Sequence, residues 1–569
     1  MTYHDPIGSF RRKLKSSPWL VMSLLFHLLL ILGLGFVAVQ RAKKGEPKPT
    51  RLIVVASSPV EPPVEFVEPP PEPRILIPPP DKGEIVTFDD VTYLPTDLVP
   101  DIDLTKPIGD PTIESLLPDS TPAASSGIGV GTGGIRGTSV ASVWRRRPGD
   151  RVGPPGGGGR PPLGPTFAID KAVRDGLVWL CRHQNDDGSW SPRSLPELCD
   201  ARSRCYDETL RSNDHYDVGV TSLALLCFLG AGFTHQSQLW LVDPLRDERH
   251  RVGEVVTRGL KWLRARQNPD GSFSGDRAFM YNEALATMAL SEAYGLSGYR
   301  YWRDPAQRGV DFLQRAQRPS PSGSGLWGWR YASREEIEDP RRGTGDPGYA
   351  KELYDADTSV TAWCVMALKS AQLSKLAVEP ASLDGAVEFC NFVTAPLGDQ
   401  GGLVGYVDAA SAGRVVSGPF DERFTYHPTT MSALGMCIRI FARHDATDPF
   451  LEAAAQRIAA DLPAVTKDRA SVDYYYWYYA SLALNQLDGP DSPRRSTSGR
   501  YWNRWNGAMN EALLGLQDHS EAACSRGGWI VNDRWGSYSA TGPIYATALA
   551  VLTLEVYYRY PNAFGGKRN

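Results

Sequence analysis

"GLVWLCRHQNDDGSW", residues 176–190, is matched by "GLKWLRARQNPDGSF" at 259–273. In both, a Gly and a Gln stand eight residues apart, aromatic and leucine residues fall between them at helical spacing, and a Gly-aromatic turn closes the unit. A shorter copy, "GVDFLQRAQ" (309–317), runs into "SGSGLWGW". Weaker copies are "GAVEFCNFV" (385–393) with "GGLVGY", and "MNEALLGLQ" (509–517) with "GGWIVNDRWG". "LEAAAQRIAADL" (451–462) keeps the helical pattern but has lost the Gln and the turn. Charged residues such as Lys171, Arg174 and Asp175 give these helices an exposed face.

A second element recurs between the copies: "DVGVTSLALLCF", "NEALATMALSEA", "DTSVTAWCVMAL", "HPTTMSALGMCI", "DYYYWYYASLAL" and "GPIYATALAVLT". In register, their first residues are Asp217, Asn282, Asp357, His427, Asp473 and Gly542. The rest of each segment is small or apolar with almost no charge, and a helix that is apolar all round is buried on all sides. Six amphipathic segments therefore alternate with six buried ones. Intervals between the buried ones run from 46 residues (427 to 473) to 75 (282 to 357), a periodicity of stacked supersecondary units. Buried helices inside and amphipathic helices outside make an all-α fold, an (α/α)6 toroid of six inner and six outer helices over 167–569. An open solenoid needs polar capping repeats, and the final "IYATALAVLTLEVYY" is as apolar as the first, so the ring is expected to close.

The residues before the toroid read differently. Residues 1–17 form a short basic tail, and 18–40 an uncharged apolar run long enough for one transmembrane helix. It lacks the small-residue cleavage site of a signal peptide. Residues 41–166 are a Pro- and Gly-rich linker with no sustained period, exemplified by "SSPVEPPVEFVEPPPEPRILIPPP", and are expected to be disordered. Anchor and spacer together resemble the front end of TonB-like cell-envelope proteins. The toroid is expected on the extracytoplasmic, periplasmic side, with the linker's protein partner unspecified. A net charge of −4 gives no electrostatic reason to expect nucleic acid.

The Gln, short gap and Gly-aromatic turn, as in Gln184…Asp187-Gly188-Ser189-Trp190 and Gln267…Asp270-Gly271-Ser272-Phe273, resemble the QW repeats of the prenyltransferase and squalene-cyclase (terpenoid cyclase) superfamily. The resemblance covers the whole region after Thr166. It implies that the Gln caps one outer helix, that the Trp stacks on its neighbour, and that inner-helix N-termini surround the mouth of a cavity holding isoprenoid chains. An apolar small molecule is the partner it points to, with no cofactor.

Chemistry at those N-termini competes with a plainer role. Asp and Asn are favoured N-caps, because a side-chain oxygen accepts the helix's unpaired backbone N–H groups, and carboxylates suit the positive end of the helix dipole. Asp217, Asn282, Asp357 and Asp473 fit that description. Class II terpene cyclases protonate a double bond with an aspartic acid in an Asp-x-Asp-Asp-Thr motif, and "YDADTSVTAW" resembles it. Registered on Thr358, the motif has Ala356 at the protonating position. Registered on Asp355, it has Thr358 in place of the last Asp. Either way the motif lacks a carboxylate. If there is chemistry, Asp357 is the expected acid and Asp355 its assistant.

Protein prenyltransferases of the superfamily hold zinc with an Asp-x-Cys pair and a distant His. No Cys here has an Asp two positions before it, and His427 in "TYHPTT" alone is a poor zinc site, so no metal is expected there. Two carboxylates for glycoside hydrolysis, drawn from Asp217, Asp357, Asp473 and Glu283, are a further alternative. So is a non-catalytic envelope scaffold with a degenerate toroid.

The row Tyr474–Tyr479 spans more than a helical turn. With Trp363, Tyr545, Tyr281 and Tyr426 it can form an aromatic collar for an apolar, unsaturated ligand. Trp363, Tyr475 and Tyr478 are expected to face the chain, with Asp473, Asp217 and His427 beside it. Cys199 and Cys205, in "ELCDARSRCYDE", can close a disulfide in an oxidising compartment.

Overall fold

A computed structural model describes residues 167–199, 204–205, 216–273, 279–323, 325–338, 354–398, 401–409, 429–494, 499–521, 523–531, 533 and 542–564. The expected membrane span at 18–40, the linker at 41–166, Tyr426 and His427 lie outside them. Among the described residues no helix is long and apolar enough to cross a membrane.

Twelve helices carry the architecture. The odd-numbered ones are the amphipathic segments: α1 (Phe167–Arg182), α3 (Val252–Arg266), α5 (Arg303–Ala316), α7 (Pro380–Phe392), α9 (Pro449–Ile458) and α11 (Arg500–Leu516). The even-numbered ones are the apolar segments: α2 (Asp217–Gly230), α4 (Met280–Ser297), α6 (Thr358–Leu373), α8 (Thr430–Arg443), α10 (Tyr474–Asp488) and α12 (Gly542–Leu554). Each even helix packs on the next, α2 on α4 and so on to α12, and α12 packs back on α2. The inner ring is closed. In the outer layer the last helix meets the first, α11 touching α1. An antiparallel hairpin, β1 (Trp240–Asp243) and β2 (Glu248–Arg251), interrupts the helical pattern before α3.

The repeated Gln rivets successive outer helices. Gln184 Nε2 donates to Gly188 O and, across the layer, to Val255 O in the first turn of α3, both at 3.0 Å. Gln267 makes the same pair to Gly271 O and Pro305 O of α5. Gln317 does so to Trp327 O and Ser382 O of α7. Gln517 joins the last repeat to the first, through Gly527 O at 2.8 Å and Ala172 O of α1 at 2.9 Å. The indoles of Trp190, Trp329 and Trp529 each donate to a carbonyl in the last turn of their own outer helix, Leu180, Leu313 and Leu513. Their backbone amides donate to Thr221, Thr361 and Thr547 on inner helices. Outer and inner layers are thus tied in one register.

The turn glycine is required at Gly527, where φ is +87° and an added Cβ would sit 2.4 Å from Asp175 O on α1. Gly527→Ala should therefore destabilise the ring by more than the roughly 1–2 kcal/mol of left-handed strain alone. Gly507, exposed on α11 with open space around it, should instead gain about 0.5–1 kcal/mol on substitution by Ala. Guanidinium denaturation of the two variants beside wild type reads both signs.

The end of the chain closes the ring from below. After α12, residues 555–564 run across the C-terminal ends of the inner helices. Arg559 Nη1 reaches Leu226 O of α2, Tyr560 packs 5.5 Å from the Phe441 ring of α8, and Asn562 reaches Gln486 O of α10. Arg559 also meets both oxygens of Glu292 on α4, at 3.0 and 3.1 Å. Ser370 of α6 and Tyr560 donate to the same carboxylate.

Candidate functional site

The opposite end, where the inner helices begin, carries the expected site residues. Asp357 is the N-cap of α6: one oxygen accepts Val360 N at 2.8 Å, and the other lies 3.1 Å from Arg330 Nη1. The side chain is fully buried, and that burial pushes its carboxyl up to about 6, with Arg330 pulling the other way. Arg330 Nε also holds the partly exposed Asp355 at 3.2 Å. The Arg330 guanidinium lies over the Tyr331 and Tyr406 rings, 4.8 and 5.3 Å from their centroids, and the two phenols bond to each other.

This cluster is positioned by backbone pairing at the head of α6. Asp357 N donates to Trp329 O and Thr358 N to Tyr406 O, both at 2.9 Å, which draws two turns against the helix start. Asp357 is the cap and Thr358 the first helical residue. Ala356 is buried, and its Cβ lies 3.0 Å from where a Cβ on Gly328 would stand.

The aromatic residues do meet. Trp363 stacks on Tyr478 with centroids 5.8 Å apart and an interplanar angle of 16°. It also faces Tyr475 at 6.5 Å and Tyr479 edge-on at 5.3 Å. Since α8 separates α6 from α10 in the ring, these rings span a chord of its interior. A hydroxyl chain crosses further: Tyr281 of α4 to Ser359 of α6 at 2.6 Å, then Ser359 to Tyr475 of α10 at 2.5 Å. Helices α4 and α10 stand opposite each other in the six-membered ring. Phe279, beside Tyr216, Tyr281 and Tyr331, extends the aromatic rim. The Tyr478, Tyr479 and Tyr545 hydroxyl oxygens are buried with no hydrogen-bond partner among the described residues.

The other acids are dispersed. Asp473 is buried as the N-cap of α10, accepting Tyr476 N at 2.8 Å. Asp217 is half-buried as the first residue of α2, after the N-cap Tyr216. Asn282 lies inside α4, which begins at Met280 rather than at Asn282, and accepts Gly219 N. Glu283 accepts Phe273 N at 2.7 Å. Arg330, Tyr406, Phe279 and Ser359 were not singled out by sequence. Arg330 sits just past the "SGSGLWGW" turn and Tyr406 ends the "GGLVGY" turn, which is the one signal that marks them.

Cys199 and Cys205, considered as a disulfide pair, are not bonded to each other. Both thiols face His183 Nε2, together with Cys524 from the opposite end of the chain. Three sulfurs converging on one imidazole replace the pairing that proximity in sequence favoured. Elsewhere on the outer wall, a groove of about 620 Å³ lies between the hairpin and residues 299–302, lined by Trp240, Arg249, Arg258 and Tyr301.

No protein-family model and no curated protein matches the chain. Among solved structures, it is similar to the ligand-free type II terpene cyclase MstE from Scytonema, with 12% identity, 69% of this chain and 98% of that chain covered, and a TM-score of 0.42. A single-substitution variant of the same enzyme, in complex with its substrate geranylgeranyl dihydroxybenzoate, matches at 13% identity, 69% and 97% coverage and a TM-score of 0.40. An inactive variant of an α-1,6-mannanase of Salegentibacter, bound to α-1,6-mannotriose, matches at 12% identity, 69% and 99% coverage and a TM-score of 0.41.

Proposed function

We propose that the toroid binds an extended, unsaturated apolar molecule with a polar end, an isoprenoid-like alcohol, without protonating it. The observation that carries the reading is the Trp363–Tyr475–Tyr478–Tyr479 cluster. It combines π faces suited to double bonds with buried phenol oxygens at Tyr478 and Tyr479 that lack partners among the described residues. An unmet buried hydroxyl costs about 1–3 kcal/mol, which a ligand hydroxyl or an ordered water relieves.

The non-catalytic half of the proposal is supported by Asp357. One of its oxygens serves the helix cap and the other the Arg330 pair, and with the motif registered on Thr358 the resemblance puts Ala356 at the protonating position. Asp217 and Asp473 begin other helices, and Asp473 is itself a cap. In this proposal the apolar run at 18–40 anchors the chain, and the Pro-rich spacer lets the toroid reach ligand away from the membrane surface.

The test is titration of the full-length protein with farnesol and geranylgeraniol, read by tryptophan fluorescence. Tyr479→Phe, which keeps the ring and removes the hydroxyl, should weaken alcohol binding about tenfold, equivalent to about 1.4 kcal/mol, and leave binding of the parent hydrocarbons unchanged. No binding by wild type overturns the ligand assignment. Cyclised products from squalene or prenyl diphosphates, lost in Asp357→Asn, overturn the non-catalytic assignment.

A further inference from the structure

We propose that His183, Cys199, Cys205 and Cys524 bind a tetrahedral zinc ion that staples the first repeat of the ring to the last. The four donor atoms lie within 4.8 Å of one another. His183 Nε2 is 3.3 Å from Cys524 Sγ, 3.5 Å from Cys205 Sγ and 3.6 Å from Cys199 Sγ. A zinc ion with Zn–S of about 2.3 Å and Zn–N of about 2.0–2.1 Å in tetrahedral geometry sets its N and S ligands roughly 3.5–3.6 Å apart. The observed separations match that requirement.

The histidine is oriented for it. Nδ1 lies 2.8 Å from Trp179 O, an atom that can only accept, so Nδ1 carries the proton and Nε2 presents its lone pair to the sulfurs. The Trp179 indole stacks on the imidazole at 4.1 Å and fixes its plane. One lone pair accepts from one thiol; it cannot satisfy three. A cation bridging three thiolates and the imidazole nitrogen does, and Cys3His is a donor set that zinc favours.

The location gives the ion its role. His183 lies just past α1, Cys199 and Cys205 lie between α1 and α2, and Cys524 lies between α11 and α12, 341 residues from His183. The same seam is held by Arg182, paired with Asp243 of β1 at 2.6 and 2.8 Å and donating to Cys524 O at 2.7 Å. A ligand shell closed by four protein donors has no open position for substrate, so the ion is structural. Linking residues so far apart removes conformational freedom from the unfolded chain.

Full-length protein expressed with zinc in the medium should carry about one zinc per chain by elemental analysis. Cobalt exchanged into it should show thiolate-to-metal charge transfer and the visible bands of tetrahedral cobalt. Cys524→Ser should lower the zinc content roughly tenfold or more, while Cys364→Ala, in the core of α6, retains it. Should Cys524→Ser fail to fold, the wild-type cobalt spectrum and the fall in unfolding temperature on chelation carry the test. Wild-type protein without zinc and without cobalt bands overturns the proposal. So does a Cys199–Cys205 disulfide found by non-reducing peptide mapping, or full zinc occupancy in Cys524→Ser.

Discussion

Arg559→Met should destabilise the protein by about 3–5 kcal/mol, the cost of stranding buried carboxylates by removing their cation. Arg559 is 2% exposed, and Glu292 and Glu555 are fully buried. With Arg559 gone, Glu292 keeps Ser370 and Tyr560 as its partners among the described residues. Glu555, whose nearest cation is Arg559 Nη1 at 4.0 Å, loses its one counter-charge among the described residues. Burial already holds both carboxyls above the ordinary range, Glu555 well above it. A carboxyl raised in the folded state retains its proton there while the unfolded chain releases it, so stability falls as pH rises above the unfolded value near 4.5. Removing Arg559 raises both groups further, so the loss should be larger at pH 8 than at pH 5. Adding Glu292→Gln to Arg559→Met should recover more than half of it, since the amide keeps its hydroxyl partners and carries no charge. Guanidinium denaturation monitored by circular dichroism at the two pH values measures this. A loss below about 1 kcal/mol with a wild-type pH profile removes the ion pair as the anchor of the C-terminal segment.

That anchor was not legible in the sequence. "EVYYRY" comes after an apolar helix with no period of its own, and nothing in a single Arg says that it turns back across the helix ends. The ring itself was legible because its information is repeated. The Gln–turn–aromatic unit recurs at 184, 267, 317 and 517, with six residues from Gln to aromatic in the first two copies and twelve in the last two, and each copy makes equivalent bonds across the outer layer. The candidate site was legible in part for a related reason. Asp357 and Asp473 occupy corresponding helix starts, and both prove to be caps. Trp363 and the tyrosine row lie on wholly apolar helices, and they meet. Arg330 was missed because one cation after a turn resembles any solvated Arg until Asp357 is found beside it. The cysteine–histidine cluster was missed because its ligands come from both ends of the toroid. Closing the ring, the deduction that sequence did support, is what brings them together.

Asp357→Asn should leave the protein as stable as wild type near pH 4 and more stable by about 3 kcal/mol near pH 7. Asn caps a helix about as well as Asp, so the bond from Val360 N survives the change. What disappears is a titration. In the folded protein burial lifts the Asp357 carboxyl from its ordinary 3.8 to about 6, with Arg330 only partly offsetting that effect. Between those values the native state keeps a proton that the unfolded chain has lost. Wild-type stability from this group is therefore present below pH 4 and is lost by the time the pH passes 6. The neutral amide has no such step, so the two stability profiles should coincide in acid and separate across that window. Asp357→Ala, which also removes the cap, should lie about 1 kcal/mol below Asp357→Asn at every pH. The same variants divide the two roles of this residue. If Asp357 is a cap and a counter-ion to Arg330, Asp357→Asn keeps wild-type affinity for farnesol while gaining stability. If Asp357→Asn proves less stable than wild type at pH 7, the Arg330 pair outweighs the burial of the carboxylate and the stability argument fails. If it binds ligand normally but abolishes a cyclisation that wild type performs, the acid is chemical after all.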